Sequence, residues 1–290
     1  MKRIVFLLTL LLCVILFQAC DKGNTFSTLN LNITGLSDVG ENYTYEGWIM
    51  VDGSPKTTGV FNVNASGELS STFFSLDADD LNSATAFILT IEPFPDPDPS
   101  PSDVHVLAGD FSTNSATLTV SHPAALGTDF TDATGTYILA TPTDGADTNE
   151  NAGVWWIDPV DGPSAGLDLP TLPAGWKYEG WVVMGGVPLS TGTFTSVSGS
   201  DDAAPYSGAM AGPPFPGEDF LMNAPDGMTF PASLMGTTTV ISVEPDPDNS
   251  PMPYALKPLV GAVASDAAVH TPYMMMNNAA ASNPTGTAGR

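Results

Sequence analysis

The chain has 290 residues, 32 of them acidic and 7 basic, for a formal net charge of −25. Such a surface repels phosphate backbones and anionic headgroups, which excludes nucleic acid as a partner and adhesion to anionic lipid through the protein surface. A hydrophobic content of 42% excludes a disordered acidic chain and supports a sizeable core, while 28 Gly and 26 Pro argue against long helices.

The chain opens with Lys2 and Arg3, then an apolar run from Ile4 to Phe17, then Gln18-Ala19-Cys20. A basic start, a short apolar run and a small residue at the cut point describe a secretory signal. The run is shorter than the ~20 residues of a membrane span. Its Ala19-Cys20 ending resembles the lipobox of bacterial lipoprotein signals. That resemblance implies that residues 1–19 are removed, that Cys20 becomes the acylated first residue, and that 20–28 form a tether. The expected product is exported and held by a lipid bilayer through Cys20, at an outer membrane or the cell surface. An ordinary cleaved signal with an incidental Cys is the alternative. Cysteine usage fits acylation: Cys13 leaves with the signal and a lipidated Cys20 cannot pair, so neither a disulfide nor a free thiol remains.

Downstream, the sequence recurs. Tyr45-Glu46-Gly47-Trp48 returns 133 residues later as Tyr178-Glu179-Gly180-Trp181, and Thr58-Gly59-Val60-Phe61 as Thr191-Gly192-Thr193-Phe194. Thr90-Ile91-Glu92-Pro93 returns as Ser242-Val243-Glu244-Pro245, now 152 residues on, so the second copy carries 19 extra residues, placed in the Gly/Pro/Met-rich stretch 205–236. Each copy reads as β. Leu29, Leu31 and Ile33 alternate with polar neighbours. Tyr43 to Val51 runs into Asp52-Gly53, a hairpin signal, and Phe87, Leu89 and Ile91 alternate before Pro93. The expected fold is all-β: two tandem β-sandwich (Ig-like) domains related by internal duplication, over 29–121 and 167–270. The segment 122–166 supplies two strands, around Tyr137-Ile138-Leu139 and Val154-Trp155-Trp156-Ile157, which join the second domain. The end, 271–290, reads as a flexible tail.

The order Tyr-Glu-Gly-Trp, Gly-x-Phe, Thr-x-Glu-Pro and a Pro-rich loop resembles the extracytoplasmic C-terminal domain of anti-sigma-K factors, once in each copy. The resemblance implies a fold and an envelope role. This sequence lacks a cytoplasmic sigma-binding region, so the expectation is a non-enzymatic interaction or sensing module. A carbohydrate-binding surface lipoprotein is the alternative, with an unidentified envelope protein or a glycan as partner.

Few residues carry chemistry. His105, His122 and His270 stand apart with no metal spacing. Gly162-Pro163-Ser164-Ala165-Gly166 matches a nucleophile-elbow string but follows a turn cluster rather than a strand, so it reads as a loop. Asp96, Asp98, Ser100 and Asp103, and again Asp246 and Asp248, offer oxygens at near-alternate positions in Pro-rich loops. They read as calcium ligands or as stiff solvated loops; no other cofactor is expected. Trp48 and Trp181 read as core between the sheets. Neighbouring strand residues point to opposite faces, so at most one of Trp155 and Trp156 should face the core. An exposed one, with Trp176, is a candidate sugar-stacking platform.

Overall fold

The computed structural model describes residues 25–145, 147–248 and 250–290. The expected signal segment and Cys20 lie outside the described residues. Among the described residues, twenty strands and two short helices make an all-β fold.

The first sandwich begins with β1 (Phe26–Thr34), β2 (Tyr43–Val51), β3 (Ser54–Phe61), β4 (Phe73–Asp77) and helix α1 (Ala78–Ser83). It continues through β5 (Ala86–Pro93), β6 (His105–Ser112) and β7 (Ser115–Leu118). The second holds β8 (Thr134–Leu139), β9 (Gly153–Trp155), β10 (Ile157–Asp158), β11 (Ser164–Ala165), β12 (Leu167–Asp168), β13 (Trp176–Met184) and β14 (Val187–Phe194). It is completed by β15 (Gly217–Asp219), β16 (Thr238–Pro245), β17 (Leu259–Ala262), β18 (Tyr273–Met274) and β19 (Met276–Asn277). Helix α2 (Ala279–Ser282) leads back to the first sandwich through β20 (Thr285–Gly289).

Strand β1 has the alternation expected of one buried face: Leu29, Leu31 and Ile33 are buried and Asn30, Asn32 and Thr34 exposed. It begins at Phe26, inside the segment expected to be tether. The first sheet runs β3-β2-β5-β6-β7-β20-β1-β4 and curls until β3 touches β4, enclosing Tyr45, Phe61, Phe74, Phe87 and Leu89. In the second sandwich, β14-β13-β16-β17-β19 packs against β12-β8-β9-β15, with β18 also on β8. Tyr137, Trp156, Tyr178, Ile241 and Leu259 fill the space between. One continuous apolar cluster runs through both sandwiches.

The recurring motifs occupy matching registers. Tyr45 pairs with Phe61 and Gly47 with Gly59; Tyr178 pairs with Phe194 and Gly180 with Gly192. Each ladder then slips by one residue, leaving Thr58 or Thr191 as the extra residue of a β-bulge. Gly59 and Gly192 close these bulges at φ +113° and +126°, where side-chain-bearing residues are strained. The Asp52-Gly53 and Gly185-Gly186 hairpins turn with positive φ throughout, as two-residue turns between twisted strands require.

One expectation about the chain's organisation is corrected. The end is not a flexible tail, because β20 lies in the interior of the first sheet, between β1 and β7. The first sandwich therefore does not close within its own segment. Strand β8, which follows β7 in sequence, pairs in the second sandwich with β12, β9 and β18. Thr134-Gly135-Thr136 opens β8 and Thr285-Gly286-Thr287 opens β20, so the same tripeptide begins both strands.

Candidate functional site

Alternation along β2 and β13 sends Tyr45 and Tyr178 inward and Glu46, Trp48, Glu179 and Trp181 to the opposite face. Trp48 is therefore buried outside the inter-sheet core, against Ile88, Ala108 and Ala125. Its Nε1–H donates to Thr90 Oγ1 at 2.9 Å, and the Thr90 hydroxyl donates to Glu92. The second sandwich repeats this relay: Trp181 Nε1–H donates to Ser242 Oγ at 2.7 Å, and Ser242 bonds Glu244. Each Glu then accepts a loop amide with both oxygens. Ser102 N–H lies 2.9 and 3.1 Å from Glu92, and Tyr254 N–H lies at the same distances from Glu244. The bulges supply the remaining donors: Thr57 bonds Glu46 and Ser190 bonds Glu179.

Each sandwich thus buries a carboxylate pair on the outer face of its sheet. Burial raises the Glu92 pKa, and it pushes Glu179 up to about 7 and Glu244 to about 8. The Glu179 carboxylate differs in one respect: its Oε2 is buried and accepts no hydrogen bond.

Glu244 opens onto a cleft of about 740 Å³ where the sandwiches meet. One wall is the 36–43 segment of the first sandwich with Asp38 and Glu41; the other is the loop after β16, with Asp248 and Tyr254. Tyr45 Oη donates to Ser37 O at 2.8 Å and lies 3.0 Å from Tyr254 Oη, which ties the two walls together. Burial drives both phenol pKa values up, so the hydroxyls stay protonated.

The loop residues read as calcium ligands divide. Asp96 Oδ1 accepts Asp98 N–H and Asp98 Oδ1 accepts Ser100 N–H, so these exposed side chains cap successive turns. Asp103 is exposed, with its backbone packed against Gly175. Asp246 is exposed and ion-paired to Lys177 Nζ at 3.7 Å. Asp248 lies against Glu179 and Glu244, and these three carboxylates each place an oxygen within 4.8 Å of the others.

The expected tryptophan platform is corrected. Trp155, Trp156 and Trp176 are 4%, 0% and 3% exposed, so none offers a ring face to a sugar. Alternation holds, since Trp156 enters the main core and Trp155 the opposite face. That second face is itself covered: Trp155 lies beneath Gly212 and Gly217, and its Nε1–H donates to Asp219 at 2.8 Å. The extra stretch of the second repeat thus acts as its lid. The Gly162–Gly166 string forms a loop into β11, with Ser164 bonded to Asp158 O at 3.3 Å. The histidines remain apart, His105 on Ala124 O, His122 beside Asp110 and His270 on Glu150.

Comparison of the chain with protein-family models, curated proteins and solved structures returns no match.

Proposed function

We propose that this chain is a lipid-anchored extracytoplasmic protein that binds rather than catalyses, built from two copies of one β-sandwich module. The N-terminal sequence supports the anchor at Cys20. The shared strand register, the bulges and the Trp-to-Glu relays support the duplication. The likeness of the repeated motifs to the extracytoplasmic domain of anti-sigma-K factors supports an envelope role. The observation that carries the reading is the cleft of about 740 Å³ between the sandwiches, with walls drawn from both. A site shared by two covalently linked modules suits recognition of an envelope protein or a ligand that also senses their relative position.

Two measurements test this. Cells fed an alkyne fatty acid should label the parent chain and fail to label Cys20→Ala; an unlabelled parent in the cytosol overturns the anchor. Hydrogen exchange on intact envelopes should show protection at 36–43 and 245–254 relative to the purified chain. Equal exchange in both preparations removes the cleft as the binding site.

A further inference from the structure

Glu179 and Glu244 lie on adjacent strands in diagonal register, since Glu179 pairs with Ser242 and Lys177 with Glu244. Their side chains therefore share one face of the sheet. The loop after β16 brings Asp248 back over that face, and Ser250 N–H holds its Oδ1 at 2.8 Å. Among the described residues, this is where three such groups converge with ligand oxygens within 4.8 Å of one another. Ca²⁺ bonds oxygen at about 2.3–2.6 Å, so ligands on opposite sides of the ion stand about 4.6–5.2 Å apart, and the grouping fits inside that span.

Three ionised carboxylates this close repel each other. Lys177 is engaged by Asp202 at 3.2 Å and Asp246 at 3.7 Å. Lys257 is partly buried; burial disfavours its charge, and Glu244 acts against that. Glu179 adds an independent sign of a missing partner. Only 5% of its surface is exposed; Oε1 takes the Ser190 hydroxyl and Oε2 takes no hydrogen bond. A buried carboxylate oxygen without a donor is costly, and a cation would satisfy it. Glu244 and Asp248 also face the cleft, so water can reach an ion there and complete its shell.

We propose that Glu179, Glu244 and Asp248 form a Ca²⁺ site at the cleft between the sandwiches. The donors are all hard oxygens, the set this ion prefers, with no nitrogen or sulfur to favour a transition metal. The inference rests on reading the cleft as the binding region and names an ion as its ligand. Bound Ca²⁺ would hold the loop after β16, and with it the wall carrying Tyr254, in a fixed position.

The test is titration of the EDTA-stripped, purified full chain with CaCl₂ by calorimetry and thermal melting. The parent should bind with a Kd on the order of 10⁻⁴–10⁻³ M, the range of extracellular calcium modules, and melt at higher temperature when loaded. Glu179→Gln should melt in EDTA at or above the parent temperature, because a buried ionisable carboxyl with an unsatisfied oxygen is gone, and bind Ca²⁺ at least ~10-fold more weakly. Asp248→Asn, altering a loop residue, should weaken binding without lowering the melting temperature in EDTA. Asp98→Asn should bind as the parent does. No heat and no thermal shift in the parent at millimolar CaCl₂ overturns the site, as does parental affinity in both Glu179→Gln and Asp248→Asn. Failure here leaves the fatty-acid labelling and hydrogen-exchange results standing, so the ion and the anchored binding protein are tested separately.

Discussion

Gly286 pairs with Ile33 across antiparallel strands, which places the end of the described chain inside the sheet that the first described strand begins. A Cβ at Gly286 would stand 2.5 Å from Asn32 O and 2.9 Å from Ile33 Cα, so the crossing strand is set close against its neighbour. Gly135, at the same place in β8, pairs with Leu167 and lies against Leu259 and Met275. The first sandwich is therefore completed by a strand that follows the whole of the second, whereas the second is built from the contiguous run β8 to β19. The cleft inherits that coupling, since β20 carries the chain back from the second sandwich to the first.

Removing residues 285–290 should unfold the first sandwich rather than trim it. The deletion strips partners from β1 at five positions, Asn30 to Thr34, and from β7 at four, Ser115 to Leu118. It also removes Arg290, whose guanidinium donates to Leu81 O, Ala84 O and Thr113 O and sits 4.4 Å from the centre of the Phe111 ring. Circular dichroism should show loss of the cooperative melt, and hydrogen exchange should show Leu29–Ile33 unprotected. Arg290→Ala alone should cost about 1–3 kcal/mol, the scale of lost charge-assisted hydrogen bonds. A truncated chain that melts like the parent contradicts the exchanged-strand account.

The bulge glycines set the sheet's outer face. Gly192 sits at φ +126°, and a Cβ there would meet Ala203 O and Asp201 at 3.0 Å. Gly192→Ala should therefore cost about 1–3 kcal/mol from backbone strain, or roughly 2–4 °C of melting temperature per kcal/mol in a chain of this size. It should also disturb the Ser190 hydroxyl, which accepts the Gly192 amide at 3.1 Å while bonding Glu179. Gly199→Ala, where a Cβ meets nothing within 4 Å, is the control and should melt as the parent does. Equal stability of the two variants would show that the bulge tolerates a side chain.

Much of the fold was legible because it rests on period-two alternation and turn chemistry. Leu29, Leu31 and Ile33 mark one buried face, and Asp52-Gly53 marks a hairpin; both follow from local geometry. Strand β20 escaped because Thr-Gly-Thr-Ala-Gly buries little more than Ala288 and is held by backbone pairing on both sides, which leaves no apolar pattern. Its signal was the tripeptide shared with Thr134-Gly135-Thr136. The tryptophans misled for a related reason. Alternation predicts a solvated face opposite the core, but the extra stretch of the second repeat covers that face over Trp155. The buried carboxylates were hidden by their charge, which ordinarily marks surface. Their burial depends on donors distant in sequence, such as Tyr254 N–H on Glu244, that only folding brings together.

The neighbourhood of that stretch, from Asp201 to Asp219, carries a pH dependence whose sign follows from burial. Glu218 is fully buried and Asp201 partly so, and burial pushes both up to about 7. In the unfolded chain they titrate near their ordinary values, about 4.3 and 3.9. Between those values and about 7 the folded state holds more protons than the unfolded one, so stability falls as pH rises through this window. Asp219, also raised by burial, adds to the same slope. Exposed Asp202, held below its usual value by the Thr193 and Lys177 hydrogen bonds, acts with the opposite sign and only at more acidic pH. The melting temperature should therefore be higher at pH 5 than at pH 7.5. Asp201→Asn, which keeps an oxygen for the Gly217 amide now bound at 3.1 Å, should raise the pH 7.5 value and shrink the difference. Melting curves of the two proteins across this range decide it, and a parent that gains stability toward pH 7.5 contradicts the assignment of these carboxylates as buried and protonated in the acid limb.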